Sequence, residues 1–339
     1  MNVLSKVTAL AAASAMVLSL AACGGGTSTT TPAPESSAPA SSASAEGTAS
    51  YTVGICQQMT HEALDAATQG FKDALNELLP GQVTFEEQDA GGEYANCGTI
   101  MDGFVSEGVD LILANATYPL QAAASATADI PVLGTSVTDY ATALSIDDWT
   151  GTVGGNISGT SDLAPLDQQA AMLNELFPDA TNVGLLYCSG EPNSVYQVET
   201  IQGYLEDMGY TCEQYAFTDV NDLSSVAQTA CDNSDVIYIP TDNTAAANTE
   251  TIANVVIPAG VPVIAGESGI CSGCGVATLS ISYYDIGYKT GEMAAQILTG
   301  EADISTMPVE YAPNVTKMYN AANCEALGLT MPEDYEPIT

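Results

Sequence analysis

The chain has 339 residues, with four Lys and Arg against 42 Asp and Glu, one His and a formal net charge of −38. It contains no Arg, and Lys6, Lys72, Lys289 and Lys317 cannot neutralise a phosphate backbone, so nucleic acid is excluded as a partner. Anionic lipid surfaces are disfavoured on the same grounds, and a single imidazole, His61, excludes a His-rich metal site.

The N-terminus begins with Lys6 and an apolar run, Thr8 to Leu20, too short to span a bilayer as a stable helix. The run ends in Leu20-Ala21-Ala22-Cys23. Small residues before a Cys suit a lipoprotein signal peptidase. Residues 1–22 therefore read as a lipoprotein signal and Cys23 as the lipidated residue, against the plainer reading of a secretory signal with a chance Cys. Residues 23–50 are Gly, Ser, Thr, Ala and Pro with two Glu, too poor in apolar side chains to fold, and read as a tether. These features place the folded part outside the cytoplasm on a membrane anchor. The strong acidity fits a soluble surface-exposed protein.

From Tyr51 onward, β-rich runs alternate with amphipathic helical patterns. Thr52–Cys56 is a strand. Glu62–Leu79 is a helix with Leu64, Ala67, Phe71, Leu75 and Leu78 on one face. Val83–Gln88 is a strand, Ala95–Ser106 a helix, and Val109–Ala114 a continuous apolar strand of the kind buried in a parallel sheet. Helix Leu120–Ala128 and strand Pro131–Thr135 follow. After a looser stretch, Asp139–Thr160, the alternation restarts with helix Pro165–Phe177, strand Asn182–Tyr187, helix Ser194–Met208 and strand Tyr210–Tyr215. Then come helix Leu223–Cys231, strand Val236–Pro240, helix Ala246–Ala259, strands Val261–Ala265 and Val276–Ser280, and helix Tyr284–Leu298.

This order predicts an α/β protein with two doubly wound parallel-sheet lobes and a cleft at the strands' carboxyl ends. The residues just after the strands are polar. Gln57, Thr60 and His61 follow the first strand, Thr117 the third, and Ser136 and Asp139 the fourth. In the second set come Ser189, Asn193 and Ser194, then Asp242 and Asn243, then Glu267. All are candidate ligand contacts, and many are equally good helix N-caps. Without Arg, a ligand carboxylate must rest on backbone N–H groups and hydroxyls, with Ser136, Ser189, Asn193 and Ser194 the candidates. A ligand ammonium needs an acid, for which Asp139, Asp242 and Glu267 stand directly after strands, with Glu191 and Asp162 behind them.

The Cys23 segment, the run Val53-Gly54-Ile55 leading to His61-Glu62-Ala63-Leu64-Asp65, and Val109-Asp110-Leu111-Ile112-Leu113-Ala114 resemble one bacterial family. So do Tyr238 to Thr244, Ala265-Gly266-Glu267 and Tyr283-Tyr284-Asp285-Ile286-Gly287-Tyr288. The family is the ABC-transporter substrate-binding lipoproteins of the tryptophan/tyrosine-uptake type, and the likeness covers about residues 51–332. It implies a type I periplasmic-binding-protein fold with a three-strand hinge: lobe 1 from 51–160 plus 282–305, lobe 2 from 161–281 plus 306–339. It also implies capture of a small zwitterionic solute, an aromatic amino acid, with Tyr284 and Asp285 added to the ligand-binding set. The implied partners are the permease and ATPase of an importer, and the protein acts as a monomer without cofactor or metal.

Other readings stay open: a purine-like molecule or short peptide as ligand, a sensor for a membrane receptor, or an α/β hydrolase. Against the last, there is no Gly-x-Ser-x-Gly elbow and no Gly-x-x-x-x-Gly-Lys loop, and the reading is non-enzymatic. Eight Cys remain after Cys23, an even number that suits disulfides in an exported protein. Cys271-Ser272-Gly273-Cys274 reads as a local loop disulfide in preference to a redox pair or zinc half-site.

Overall fold

The structure, a computed structural model, describes residues 50–338; the Cys23 segment and most of the tether lie outside them. The first lobe runs β1 (Tyr51–Gln57), α1 (Glu62–Leu78), β2 (Val83–Asp89), α2 (Tyr94–Glu107), β3 (Leu111–Asn115), α3 (Thr117–Ala126), β4 (Val132–Val137), α4 (Tyr140–Leu144) and β5 (Ile157–Ser161). The chain then enters the second lobe with α5 (Leu166–Leu176), β6 (Asn182–Cys188), α6 (Pro192–Asp207), β7 (Thr211–Phe217), α7 (Val220–Asn233) and β8 (Val236–Ile239). It continues with α8 (Asn243–Ala246), α9 (Thr249–Ala259), β9 (Val263–Ala265), α10 (Ser268–Gly273) and β10 (Ala277–Ser280). Helix α11 (Tyr283–Leu298) and β11 (Glu310–Tyr311) return to the first lobe. Strand β12 (Thr316–Tyr319), α12 (Ala321–Leu327) and β13 (Glu336–Pro337) close the second.

The first sheet has the order β11-β5-β4-β3-β1-β2 and is parallel throughout. The second, β13-β12-β10-β9-β8-β6-β7, repeats the same winding and adds β12 antiparallel to β10. Two lobes are thus joined by three crossings, at residues 162–165, 281–282 and 312–315. The last crossing corrects the expected boundary at 305. Val309 packs in the first lobe's core and β11 still pairs with β5, so the chain leaves that lobe about seven residues later.

Alternation along β1 shows how the first lobe is filled. Val53 and Ile55 join Phe71, Leu75 and Met293 on the α1/α11 side, whereas Cys56 joins Met101 and Phe104 on the α2/α3 side. Helices α1 and α11 approach closely because Gly70 lies against the backbone of Tyr284 and Gly287 against that of Ala67; a Cβ at either would collide with main chain. Helix Ala246–Ala259 of the sequence reading is broken into α8 and α9, with Ala247 and Asn248 between them. Strand β5, Ile-Ser-Gly-Thr-Ser, begins inside the stretch that reads as loose and ends one residue past it, and its pairing with β4 carries it. No helix among the described residues is long and apolar enough to cross a membrane.

Candidate functional site

The carboxyl ends of both sheets face one cleft, and the lobes touch across it. His61 Nε2 lies 3.1 Å from Asn243 Oδ1, and the Tyr118 hydroxyl donates to the Gly190 carbonyl. A cavity of about 350 Å³ between the lobes is lined by Met59, Gly92 and Tyr118 from the first and by Gly190, Glu191 and Thr244 from the second. Lys72, Lys289 and Lys317 each pair with a surface acid, with Glu87 at 2.6 Å, Glu292 at 3.4 Å and Glu175 at 3.0 Å respectively. An anionic ligand group in the cleft therefore meets no Lys from the described residues.

On the second lobe, the post-strand acids are bound up in their own scaffold. Glu191 accepts from Asn193 Nδ2, from the backbone N–H and Nδ2 of Asn243, and from the backbone N–H and hydroxyl of Thr244. Asp242 caps α8 through Ala245 N–H at 2.8 Å and accepts Cys188 N–H at 2.7 Å. Burial, and then the nearby Glu191 carboxylate, push Asp242 up to about 7. Glu267 caps α10 by accepting from Gly269 N–H at 2.6 Å and Ile270 N–H at 2.5 Å, and burial raises it to about 7. Asn193 and Ser194 are buried beside them, Asn193 donating to the Thr241 carbonyl at 3.1 Å. Ser189 is exposed and donates to the Phe217 carbonyl of its own lobe.

The first lobe and the hinge look different. Ser136 sits in a bulge where the β4–β5 register shifts, at φ 54°, and its Oγ is buried without a partner. A bulge re-aims a side chain, and a non-glycine residue in this left-handed region stores strain of the kind found at ligand sites. Asp162 follows β5 on the first crossing and is 3 % exposed. Its Oδ2 accepts from the Tyr283 hydroxyl at 2.8 Å, while Oδ1 has no partner. Burial raises the Asp162 carboxyl, and the Tyr283 and Thr138 hydroxyls pull the other way. Thr138, Asp162 and Tyr283 thus meet where β5 and α11 converge, and Ser136 lies two residues before Thr138 at the end of β4. His61, on the same edge, precedes α1 without capping it; burial lowers its imidazole and leaves Nδ1 unpaired.

Several expected ligand contacts fall elsewhere. Gln57 is consumed inside the first lobe, donating to Asp65 at 2.6 Å and accepting from Thr68 at 2.6 Å. Thr60 bonds Asp89 and lies at the cleft mouth with His61. Thr117 is buried as the first residue of α3, and Asp139 caps α4 through Thr142 N–H. Tyr284 and Asp285 are exposed, with Tyr284 bonded to Asp73 on α1, so the resemblance-based pair lies on the surface. Their neighbour Tyr283 is the buried one. The signal for it was the α11 face Tyr283, Ile286, Thr290 and Met293, all buried at helical spacing. Cys271 and Cys274 are free thiols in this structure, buried in the second lobe's core with Cys274 Sγ directed at the Ile270 carbonyl, so the expected loop disulfide is not formed here. Both thiols point into apolar packing around α10.

Two similarly wound parallel sheets, three crossings and a polar cleft that closes by lobe contact define a ligand-binding clamp of the type I periplasmic-binding-protein fold. A family model of ABC transporter substrate binding proteins matches residues 52–336. The chain belongs to this family, whose members bind substrates outside the cytoplasm and are not an enzyme family. It is 31% identical over 280 residues, 82% of this chain and 81% of its relative, to a tyrosine-binding protein from Clostridioides difficile (strain R20291). A solved ABC domain in complex with L-Trp from Streptococcus pneumonia is 30% identical, with 86% of this chain and 100% of that one covered at a TM-score of 0.81. The ligand-free, open structure of a substrate-binding protein with adhesive properties from Clostridium difficile is 33% identical, covering 85% and 99%, at 0.66. The lower score at similar identity agrees with lobes that are closed in this chain and open in that one.

Proposed function

We propose that this protein captures an aromatic amino acid for an ABC importer, with the ligand ammonium on Asp162 Oδ1 and its carboxylate on Ser136 Oγ and neighbouring backbone N–H groups. The observation that carries the reading is the Asp162 carboxylate oxygen, buried at the hinge with nothing to pair it. A buried charge left alone costs several kcal/mol, on the order of the gain a cation then recovers. The tyrosine and tryptophan bound by relatives are zwitterions that supply both charges. Because Asp162 joins the first crossing to Tyr283 on α11 beside the second, a ligand there bears directly on the lobe angle. The protein works as a monomer, tethered by lipid on Cys23, and delivers its ligand to the permease and ATPase.

Titration calorimetry with L-tyrosine and L-tryptophan tests this. Both bind, and their N-acetyl derivatives, which lack the ammonium, bind at least about tenfold more weakly. Equal affinity for the N-acetyl derivatives would overturn the assignment. For the anchor, Cys23→Ala shifts the protein from the membrane fraction to soluble material; unchanged detergent-dependent membrane association would refute it.

A further inference from the structure

Two cysteines outside the cleft chemistry stand opposite one another in the first lobe. On the α2 side of β1, Gly54 lies under Phe104, so that a Cβ there would meet the ring at 2.7 Å. Cys56 is two residues further along the same face of β1, and Cys97 is seven residues, about two turns, earlier along α2. In a right-handed crossover the helix runs antiparallel to its strand. The step forward on β1, about 7 Å, and the step back on α2, about 10 Å, therefore run the same way and bring the two residues to within about one helical turn of each other. Both side chains are fully buried in one apolar cluster. Each thiol shifts the other, Cys56 upward and Cys97 downward, as neighbouring sulfurs do.

We propose that Cys56 and Cys97, thiols in this structure, are joined by a disulfide bond in the exported protein, stapling α2 to the carboxyl end of β1. Family membership places the chain outside the cytoplasm, where such bonds persist. The oxidant is an exogenous disulfide, either a small-molecule disulfide or the active-site disulfide of a thiol oxidase. The Cys97 thiolate attacks one of its sulfurs and expels a first thiol. The Cys56 thiolate then attacks the Cys97 sulfur of the mixed disulfide and expels the second. Two protein thiols lose two protons and two electrons, and one oxidant disulfide becomes two thiols. The reaction occurs during folding, before both sulfurs are covered. The bond fixes the turn between β2 and α2, whose Gly91 and Gly92 line the interlobe cavity.

The test uses the exported full chain purified without reductant and unfolded in N-ethylmaleimide. Peptide mapping finds Cys56 and Cys97 unlabelled and in one crosslinked peptide, which dithiothreitol separates. Both residues carrying N-ethylmaleimide, even after refolding with glutathione disulfide, would overturn the proposal. Dithiothreitol also lowers the melting temperature of the native chain by about 5 °C, as loss of a loop of this length implies, and leaves Cys56→Ala/Cys97→Ala unaffected. An equal response in the double variant would assign the effect to other cysteines and count against the bond.

Discussion

At the cleft edge of the second lobe, both carboxylate oxygens of Glu191, Asp242 and Glu267 accept donors from their own lobe, whereas on the first lobe and hinge Ser136 and Asp162 leave buried oxygens unpaired. Both sets lie at strand ends, both are buried and both are acidic or hydroxylic, so position alone does not separate them. Satisfaction does. A carboxylate with a donor on each oxygen holds helix starts in place, and one with a free oxygen has room for an outside donor. The second lobe is a preformed platform, and the hinge side carries the unfilled chemistry.

The sharpest way to break the platform is Glu191→Ala. It strands buried donors on Asn193, Asn243 and Thr244, and unfolding of the unliganded protein should become easier by about 3 kcal/mol or more. Calorimetric melting checks this; an unchanged melting temperature would show that the network carries no weight. Asp242→Ala removes the α8 cap and the Cys188 N–H acceptor, at a cost of roughly 1–3 kcal/mol of stability. Its ligand affinity should change little. A tenfold affinity loss with normal apo melting would instead return Asp242 to the ligand.

The pH dependence separates the regions further. Asp242 and Glu267 rise from 3.8 and 4.5 to about 7 on folding, so the native state holds protons that the unfolded chain has released. Stability from these groups is greatest below pH 4 to 5 and is lost as pH rises toward 7. The Asp162 carboxyl, also raised by burial, acts in the same direction; His61, lowered from 6.5, acts oppositely below that value, one group against three. Melting temperature without ligand should therefore fall from pH 5 to 7.5, and a rise over that range contradicts the account. Ligand affinity should run the other way and increase with pH, because an ammonium pairs only with ionised Asp162. The smallest effect is expected of Tyr118→Phe, which loses one lobe-to-lobe hydrogen bond and about 1 kcal/mol of closure, a few-fold in affinity by calorimetry.

Much of the fold was legible because burial imposes periodicity: Val109 to Ala114 reads as a buried strand, and the apolar face of α1 reads as a helix. Strand β5 was not, since Ile-Ser-Gly-Thr-Ser has no hydrophobic alternation and is held by its neighbours in the sheet. Residue type and strand-end position single out Ser136 and His61 as candidates. They could not rank Asp162 above Asp242, because the difference is whether backbone donors from residues 188 and 245 arrive, and that is a tertiary fact.

The central claim is that Asp162 receives the ligand cation, and Asp162→Asn measured in two ways tests it most directly. The substitution keeps the shape and the Tyr283 partner but removes the buried charge. The account predicts L-tyrosine or L-tryptophan binding weakened by about tenfold or more, with apo melting unchanged or raised. Undiminished affinity, or a fall in apo melting without loss of binding, would contradict it.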